Sequence, residues 1–476
     1  MCSNVYMHLS PLKIKKIPNP PTSIFKMIGP SIIFVGLALG SGELIMWPYL
    51  VSHYGLGIIW GALIGITMQF FLNTEILRYT LANGESIFVG FARIFRKIPI
   101  WFVVSTIVAW SWPGFASSSA ELLTFFGIEN ANLISMLMLL LIGIILTSGK
   151  NVYKTVENIE KVLVVVGISS IFLIAFYVVD AQAVKSLLLG LIGIGEGYFI
   201  LPFADENFPY ASFLAALAYA GAGGNLLLAQ SFYVKEKGYG MGVFSSKISN
   251  LLDGKDQELS IEGATFKPID TELSKFNKWW NFAYKEHLIV FWGLGLLTML
   301  LLALISYSTA FSNTSIKSSG IGFLFEQANI INSTIHPLLG SFLLLITALM
   351  LFSTQLTVID AAGRIIAENI AILGKSFLQA SDLAKYYFVS VWSIITFGIG
   401  TLMLGFDQPY TLLIVGAIIN AVCMFVFSGI LIKTNVKLLH NELHPHPYKR
   451  LIIYGIFGLL GLFCTFVIGD AILKGF

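Results

Sequence analysis

Charge is what this sequence has least of. Only 12% of its 476 residues are Asp, Glu, Lys or Arg, about half the roughly 25% of an ordinary soluble domain. That scarcity excludes a solvated globular surface, and a net charge of +3 is too small to serve a nucleic-acid partner. Three cysteines, Cys2, Cys423 and Cys464, stand far apart and offer neither a disulfide framework nor a zinc site. No G-x-x-x-x-G-K-[ST] occurs, so neither an ATP-binding domain nor an ATPase subunit is implied. No Ser-His-Asp, His-Glu-x-x-His or paired-Asp arrangement has the spacing that hydrolytic chemistry requires. The glycine-rich "GIGEGYFILPF" lacks the βαβ context of a dinucleotide site, and neither a cofactor nor an enzyme activity is expected. The first 24 residues carry basic charge but no early apolar run, which reads as a cytoplasmic tail over 1–27 and not as a cleaved signal.

What is abundant is apolar sequence: 56% hydrophobic residues and a mean hydropathy of +0.81. Apolar runs fall near 28–53, 55–81, 99–126, 131–148, 162–180, 208–234, 288–309, 335–358, 388–405, 409–432 and 449–473. At ~20 residues per crossing this predicts an all-α polytopic membrane protein of about 11 transmembrane helices, one domain over 1–476 whose solvent is the lipid bilayer. With the N-terminus inside, Arg93, Arg96, Lys97, Lys150, Lys154, Lys161, Arg364, Lys375, Lys385, Lys433, Lys437, Lys449 and Arg450 all fall on inner loops. The outer side holds only Lys185, Lys317 and Lys474. That asymmetry follows the positive-inside rule and places the N-terminus in the cytoplasm; the expected location is the inner (plasma) membrane of a prokaryotic cell. Trp279 and Trp280 fit an interfacial belt. The segment 235–286 reads as a cytoplasmic loop with room for a short helix. The three histidines of "HNELHPHPYKR" (440–450) read as a solvated loop before a metal sensor.

Two spans are interrupted. The first, "GPSIIFVGLALGSGELIMWPYLV", breaks at Gly40, Ser41 and Gly42, followed by Glu43. The sixth, "SFLAALAYAGAGGNLLLAQSFYV", breaks at Gly221, Ala222, Gly223 and Gly224, followed by Asn225. Small residues often serve only close helix packing. Here each cluster is dense and mid-span, and the two are five spans apart. Paired discontinuous helices at corresponding positions of inverted repeats mark the binding site of many secondary transporters. Unwound backbone in hydrocarbon survives only where protein, water or ligand satisfies it. Glu43 is a costly intramembrane carboxylate, hence a candidate coupling group; its structural reading is an acid favoured at the N-terminus of the second half-helix with Ser41 as cap, and both can hold together.

"GPSIIFVGLALGSGE", "YGLGIIWGALIGITMQFFLNTEILRYTLANGE", "GGNLLLAQS" and "LFSTQLTVIDAAGRIIAENI" together resemble the Nramp (natural resistance-associated macrophage protein) divalent-metal transporters. The resemblance runs from Gly29 to about Lys437. It implies a LeuT-type fold of two inverted five-helix repeats with broken helices one and six. The family's first break reads Asp-Pro-Gly-Asn, whereas Gly40, Ser41, Gly42 and Glu43 occupy those positions here. Its sixth helix reads Met-Pro-His-Asn, against Ala222, Gly223, Gly224 and Asn225. The metal-binding aspartate and methionine are both replaced. The downstream histidine is missing around Ala229 and Gln230, the helix-ten glutamine falls at Ala417, and the third-helix acids are absent from "AWSWPGFASSS".

Three readings follow, of which the first leads, because Gly40 stands where the resemblance places the main metal charge. In the first, exposed amides and half-helix N-termini hold a small inorganic anion such as bicarbonate, with Glu43 neutral or turned away. In the second, a hydrated hard divalent cation such as Mg²⁺ uses Glu43, Asn225 and backbone carbonyls. In the third, the chain is a receptor that transports nothing. Ser353, Thr354, Gln355 and Thr357 are candidates for interhelical hydrogen bonds or for cavity lining. Asp360 and Arg364 are spaced for an i,i+4 pair. Glu75 and Arg78 read as an inner-gate pair or as an ordinary interfacial one. Asn313, Thr314 and Ser315 form a glycosylation sequon on an outer loop.

Overall fold

The structure is a computed structural model that describes residues 9–21, 29–40, 42–148, 151–245, 261–311, 320–374, 382–406 and 409–474. Ser41 and the sequon at Asn313 lie outside the described residues. Among those described, nine helices are long and apolar enough to cross a membrane. A tenth span is the bent pair Pro30–Ala38 and Gly42–Tyr54. The predicted crossing at 208–234 is also broken, into Tyr210–Ala218, a 3₁₀ stretch Gly224–Ala229 and Gln230–Lys237. Neither half is long enough to cross alone.

The second span is Trp60–Asn83, and the third, Ile98–Trp110 and Gly114–Leu123, is interrupted before Pro113, which cannot donate into a continuing helix. The fourth is Ala131–Ser148 and the fifth Val152–Val178. The seventh, Gly295–Ser306, is entered from Asp270–His287 through a π-helical turn, Leu288–Leu294. Thus 235–286 holds all but the last residue of an eighteen-residue helix, longer than the short one expected, because its polar run is amphipathic and buries Phe276, Trp279 and Ala283. Spans eight to eleven are Leu339–Leu373, Asp382–Met403, Pro409–Leu438 and Pro447–Lys474.

The N-terminal tail does not hang free. Lys13–Ile14 pairs in parallel with Ala264–Thr265, Trp279 donates to the Pro18 carbonyl at 3.0 Å, and Arg93 donates to the Ser10 carbonyl at 2.9 Å. Tail and loop therefore close over one face of the bundle together, which we call the N-terminal face. The first span packs between the fifth and the eighth, while the first half of the sixth, Tyr210–Ala218, packs on the tenth. That arrangement brings the two breaks together.

Candidate functional site

The two breaks touch. A Cβ on Gly42 would stand 2.2 Å from the Tyr219 carbonyl oxygen, an approach only glycine allows. In the first break the chain turns at Leu39 and Gly40 and resumes through a π-helical turn, Gly42–Met46. The carbonyls this frees are met from the eighth span: Thr354 Oγ1 lies 2.6 Å from Leu39 O and 3.1 Å from Gly36 O. A Cβ on Gly40 would meet the Phe115 ring at 2.9 Å.

In the sixth span Gly221, Gly223 and Gly224 have φ of +132°, +66° and +49°, conformations that L side chains rarely take. Gln69 of the second span answers both kinds of backbone group there. Its Nε2 donates to Ala218 O at 3.0 Å, and its Oε1 accepts from Gly223 N at 3.2 Å. Asn225 Nδ2 reaches Ser105 Oγ at 2.8 Å and Thr106 Oγ1 at 3.0 Å on the third span. The repeat is visible in these bonds: eight serves one as three serves six. Gln69→Leu should lower stability by about 2–3 kcal/mol, since it strands a buried donor and a buried acceptor; a depressed melting temperature of the purified chain is the check.

Glu43 is fully buried, and neither carboxylate oxygen has a hydrogen-bond partner among the described residues. Its Oε1 faces Gly295 of the seventh span, 3.6 Å from where a Cβ would stand. Among the described residues it makes no ion pair. Asn225 Oδ1 and Asn420 Oδ1 are likewise buried without a donor. Asn420, on the tenth span, gives its Nδ2 to Tyr219 Oη at 3.1 Å, and its Oδ1 lies 1.8 Å from where a Gly224 Cβ would be. Glu43, Asn225 and Asn420 thus leave four oxygens unused, with the amide nitrogens of both asparagines turned to hydroxyls; one donor stands beside them, since Trp110 Nε1 is buried without an acceptor among the described residues and its ring centroid lies 5.9 Å from that of Tyr219. Ala222 is buried and contributes no polar side chain.

The remaining sequence candidates divide. Ser353 Oγ donates to Glu160 Oε1 at 2.6 Å, Thr354 faces the first break, and Gln355 Oε1 accepts from Ala116 N at 3.1 Å. Three consecutive polar residues thus serve three different helices through interhelical bonds. Asp360 and Arg364 pair at 2.9 Å, and Glu75 and Arg78 pair at 2.9 Å along one helix. Asn435 of the tenth span donates to the Glu75 carbonyl at 3.0 Å. Among the described residues no group of three or more His, Cys, Asp and Glu could hold a metal ion.

Sequence reasoning missed Gln69, Asn420 and the Ser105–Thr106 pair. Asn420 lies one helical turn from Ala417, so the tenth span does supply an amide. Gln230 Nε2 lies 3.1 Å from His287 Nδ1, so an imidazole reaches the sixth span from the end of the helix that leads into the seventh. Its ring is stacked against Phe70 and Phe291, with centroids at 5.5 and 4.7 Å.

No family model matches the sequence, and no curated protein matches it. Solved structures do. Two mutants of the Eremococcus coleocola manganese transporter superpose with TM-scores of 0.63 and 0.66 at 12% identity, over 99% of this chain and 92% of each of theirs. MhsT in complex with L-phenylalanine superposes with a TM-score of 0.53 at 14% identity, over 95% of this chain and 100% of that one. The chain is an all-helical integral membrane protein with the LeuT-type fold that these transporters share. At such identities the likeness is one of architecture, and the chemistry must come from the residues at the breaks.

Proposed function

We propose that the chain is an Nramp-related secondary transporter that carries a small, hard, partly hydrated divalent cation by alternating access. The ion would be held at Glu43 and at the amide oxygens of Asn225 and Asn420. One observation carries this reading: a fully buried carboxylate with no hydrogen-bond donor among the described residues directly follows Gly42, the glycine at which the two breaks touch. A divalent cation suits oxygen ligands and retained water. Ala222, at the position where the resemblance implies methionine, argues against a soft-metal site of the usual kind. Bicarbonate fits less well, because the Gly223 amide is already given to Gln69 and Glu43 would repel an anion. The excess of basic residues on the loops of the N-terminal face supports a cytoplasmic orientation for that face, and the proposed location is the plasma membrane of a prokaryotic cell.

A flux assay in proteoliposomes with an internal pH-sensitive dye tests the proposal. Saturable Mg²⁺ or Mn²⁺ uptake that is lost in Glu43→Gln is expected. Bicarbonate uptake indifferent to both metals would sink it.

A further inference from the structure

The third span begins beside a pocket that the paired breaks do not use. The chain leaves a short helix, Ile87–Ile94, at Phe95, turns through Arg96 and Lys97, and enters Ile98–Trp110. Arg93, two residues before the turn, donates to the Ser10 carbonyl at 2.9 Å, so the turn lies at the N-terminal face. An open pocket of about 440 Å³ is lined there by Phe95, Arg96, Lys97, Ile98 and Trp101. Arg96 and Lys97 are exposed, and none of the five is an acid. Lys433 of the tenth span adds a third cation: its Nζ lies over the Phe95 ring, 5.1 Å from the centroid. Trp101 Nε1 is buried without an acceptor among the described residues. The first amides of the helix are already used, Ile98 N on Phe95 O at 3.0 Å and Ile100 N on Lys97 O at 3.1 Å. Binding in this pocket would therefore fall to side chains.

Past the pocket the same helix presents apolar surface. Ile100, Val104, Ile107 and Val108 fall at i, i+4, i+7 and i+8 and are all exposed, one stripe suited to hydrocarbon. A ligand that fits both features has an anionic head at the membrane surface and an apolar tail running into the bilayer. Clustered Lys and Arg at the end of a spanning helix attract anionic lipid, and an indole N–H at interfacial depth donates to headgroup oxygens. A soluble anion would use the cations and leave the stripe uncovered. We propose that Arg96, Lys97, Lys433 and Trp101 bind the headgroup of an anionic phospholipid from the leaflet at the N-terminal face, with an acyl chain along Ile100 to Val108. The bound lipid would brace the third span against the tenth, the two helices from which Ser105, Thr106 and Asn420 hold the broken sixth. The proposal rests on the membrane-spanning fold and not on which ion is carried.

The test uses the purified full chain in detergent without divalent ions, supplied with phosphatidylglycerol or with phosphatidylcholine of the same acyl chains. Phosphatidylglycerol should raise the melting temperature saturably, by about 2–4 °C more than phosphatidylcholine does. The difference should shrink as sodium chloride rises from about 0.05 to about 0.5 M. Arg96→Gln/Lys97→Gln should melt as the parent does in phosphatidylcholine and need at least about tenfold more phosphatidylglycerol for half of the shift. Lys278→Gln/Lys285→Gln, which removes as much charge from exposed lysines of the same face, should respond as the parent does. Equal shifts with the two lipids, a parent-like response in Arg96→Gln/Lys97→Gln, or equal losses in both double variants overturn the site. A shift of the same size from inorganic phosphate at matched ionic strength also overturns it, since that marks a soluble anion. No divalent ion is present in any arm, so this site and the Glu43 site can fail independently.

Discussion

If the proposed cation site is right, Glu43→Gln should abolish saturable divalent-cation uptake while leaving the chain at least as stable as the parent. The amide is nearly isosteric with the carboxylate, so the π-helical turn Gly42–Met46 and the packing against Gly295 survive. What disappears is charge. Two unit charges about 4 Å apart interact by about 4 kcal/mol at an effective dielectric constant of 20, and a divalent ion doubles that before its dehydration is subtracted. A net loss of about 3 kcal/mol, or more than 100-fold in apparent affinity, is the expected size. The stability change carries the discriminating sign. A buried carboxylate without donors costs free energy in the empty protein, so a neutral amide should hold or raise the melting temperature. A structural acid would do the reverse, and its replacement would lower melting temperature and transport together. Mg²⁺ titration by calorimetry alongside a thermal melt separates the two; unchanged Mg²⁺ affinity with a lowered melting temperature refutes the assignment.

How much of this was legible beforehand depended on whether a residue's role is local. The fourth span was read to the residue, Ala131–Ser148, because polar and glycine-containing stretches bound it on both sides. The fifth begins at Val152, ten residues before the apolar run, since the helix face that carries Glu157 and Glu160 turns inward and its polarity hid it. The two breaks were visible because clustered glycines in an apolar run are a local signal. Their partners were not. Gln69 acts on Ala218, 149 positions away, and Asn420 on Tyr219, 201 positions away. A lone amide in an apolar run reads the same whether it faces a break or a neighbouring helix. Glu160 gives no local signal either: in sequence it stands beside Glu157 and Lys161, ahead of the apolar run. The polar run at 353–355 was noticed, but only the packed helices show that its members face three different neighbours.

Arg364→Ala should be the most destabilising single change in the bundle, and under the transporter reading it should also open the N-terminal face. Arg364 Nε lies 2.9 Å from both oxygens of Asp360, and its Nη1 pairs with Glu236. The hydroxyls of Tyr233 and Tyr387 donate to the same aspartate at 3.1 and 2.7 Å. Their rings flank the guanidinium, each 5.6 Å from its carbon. All three charges are buried. Removing the cation leaves two uncompensated carboxylates, at a cost of about 3–5 kcal/mol. Arg364→Lys should recover only part of that, because an ammonium cannot serve two carboxylates with a planar fork. The consequence for motion comes from where Glu236 sits. Lys235, Glu236 and Lys237 end the sixth span, and each is tied to another helix: Lys235 to Glu368 at 2.7 Å, Glu236 to Arg364, and Lys237 to Glu157 at 2.6 Å. These bonds hold the second half of one broken helix to the eighth and fifth spans. Tyr239 donates to Glu286 at 2.7 Å, and Glu286 accepts from the amides of Gly29 and Ser31 at 3.3 Å each, at the start of the other broken helix. Burial and that carboxylate hold the Tyr239 phenol well above its ordinary value, so it stays a donor throughout the physiological range. Alternating access toward this face requires these latches to part, and Arg364 is the one whose loss leaves two like charges repelling each other. The readout is alkylation of the buried thiol of Cys423, on the tenth span, followed by mass spectrometry at a temperature where both proteins remain folded. At least about tenfold faster labelling in Arg364→Ala is expected. Parent-like labelling with a lowered melting temperature would make the cluster a structural staple and remove it from the gate.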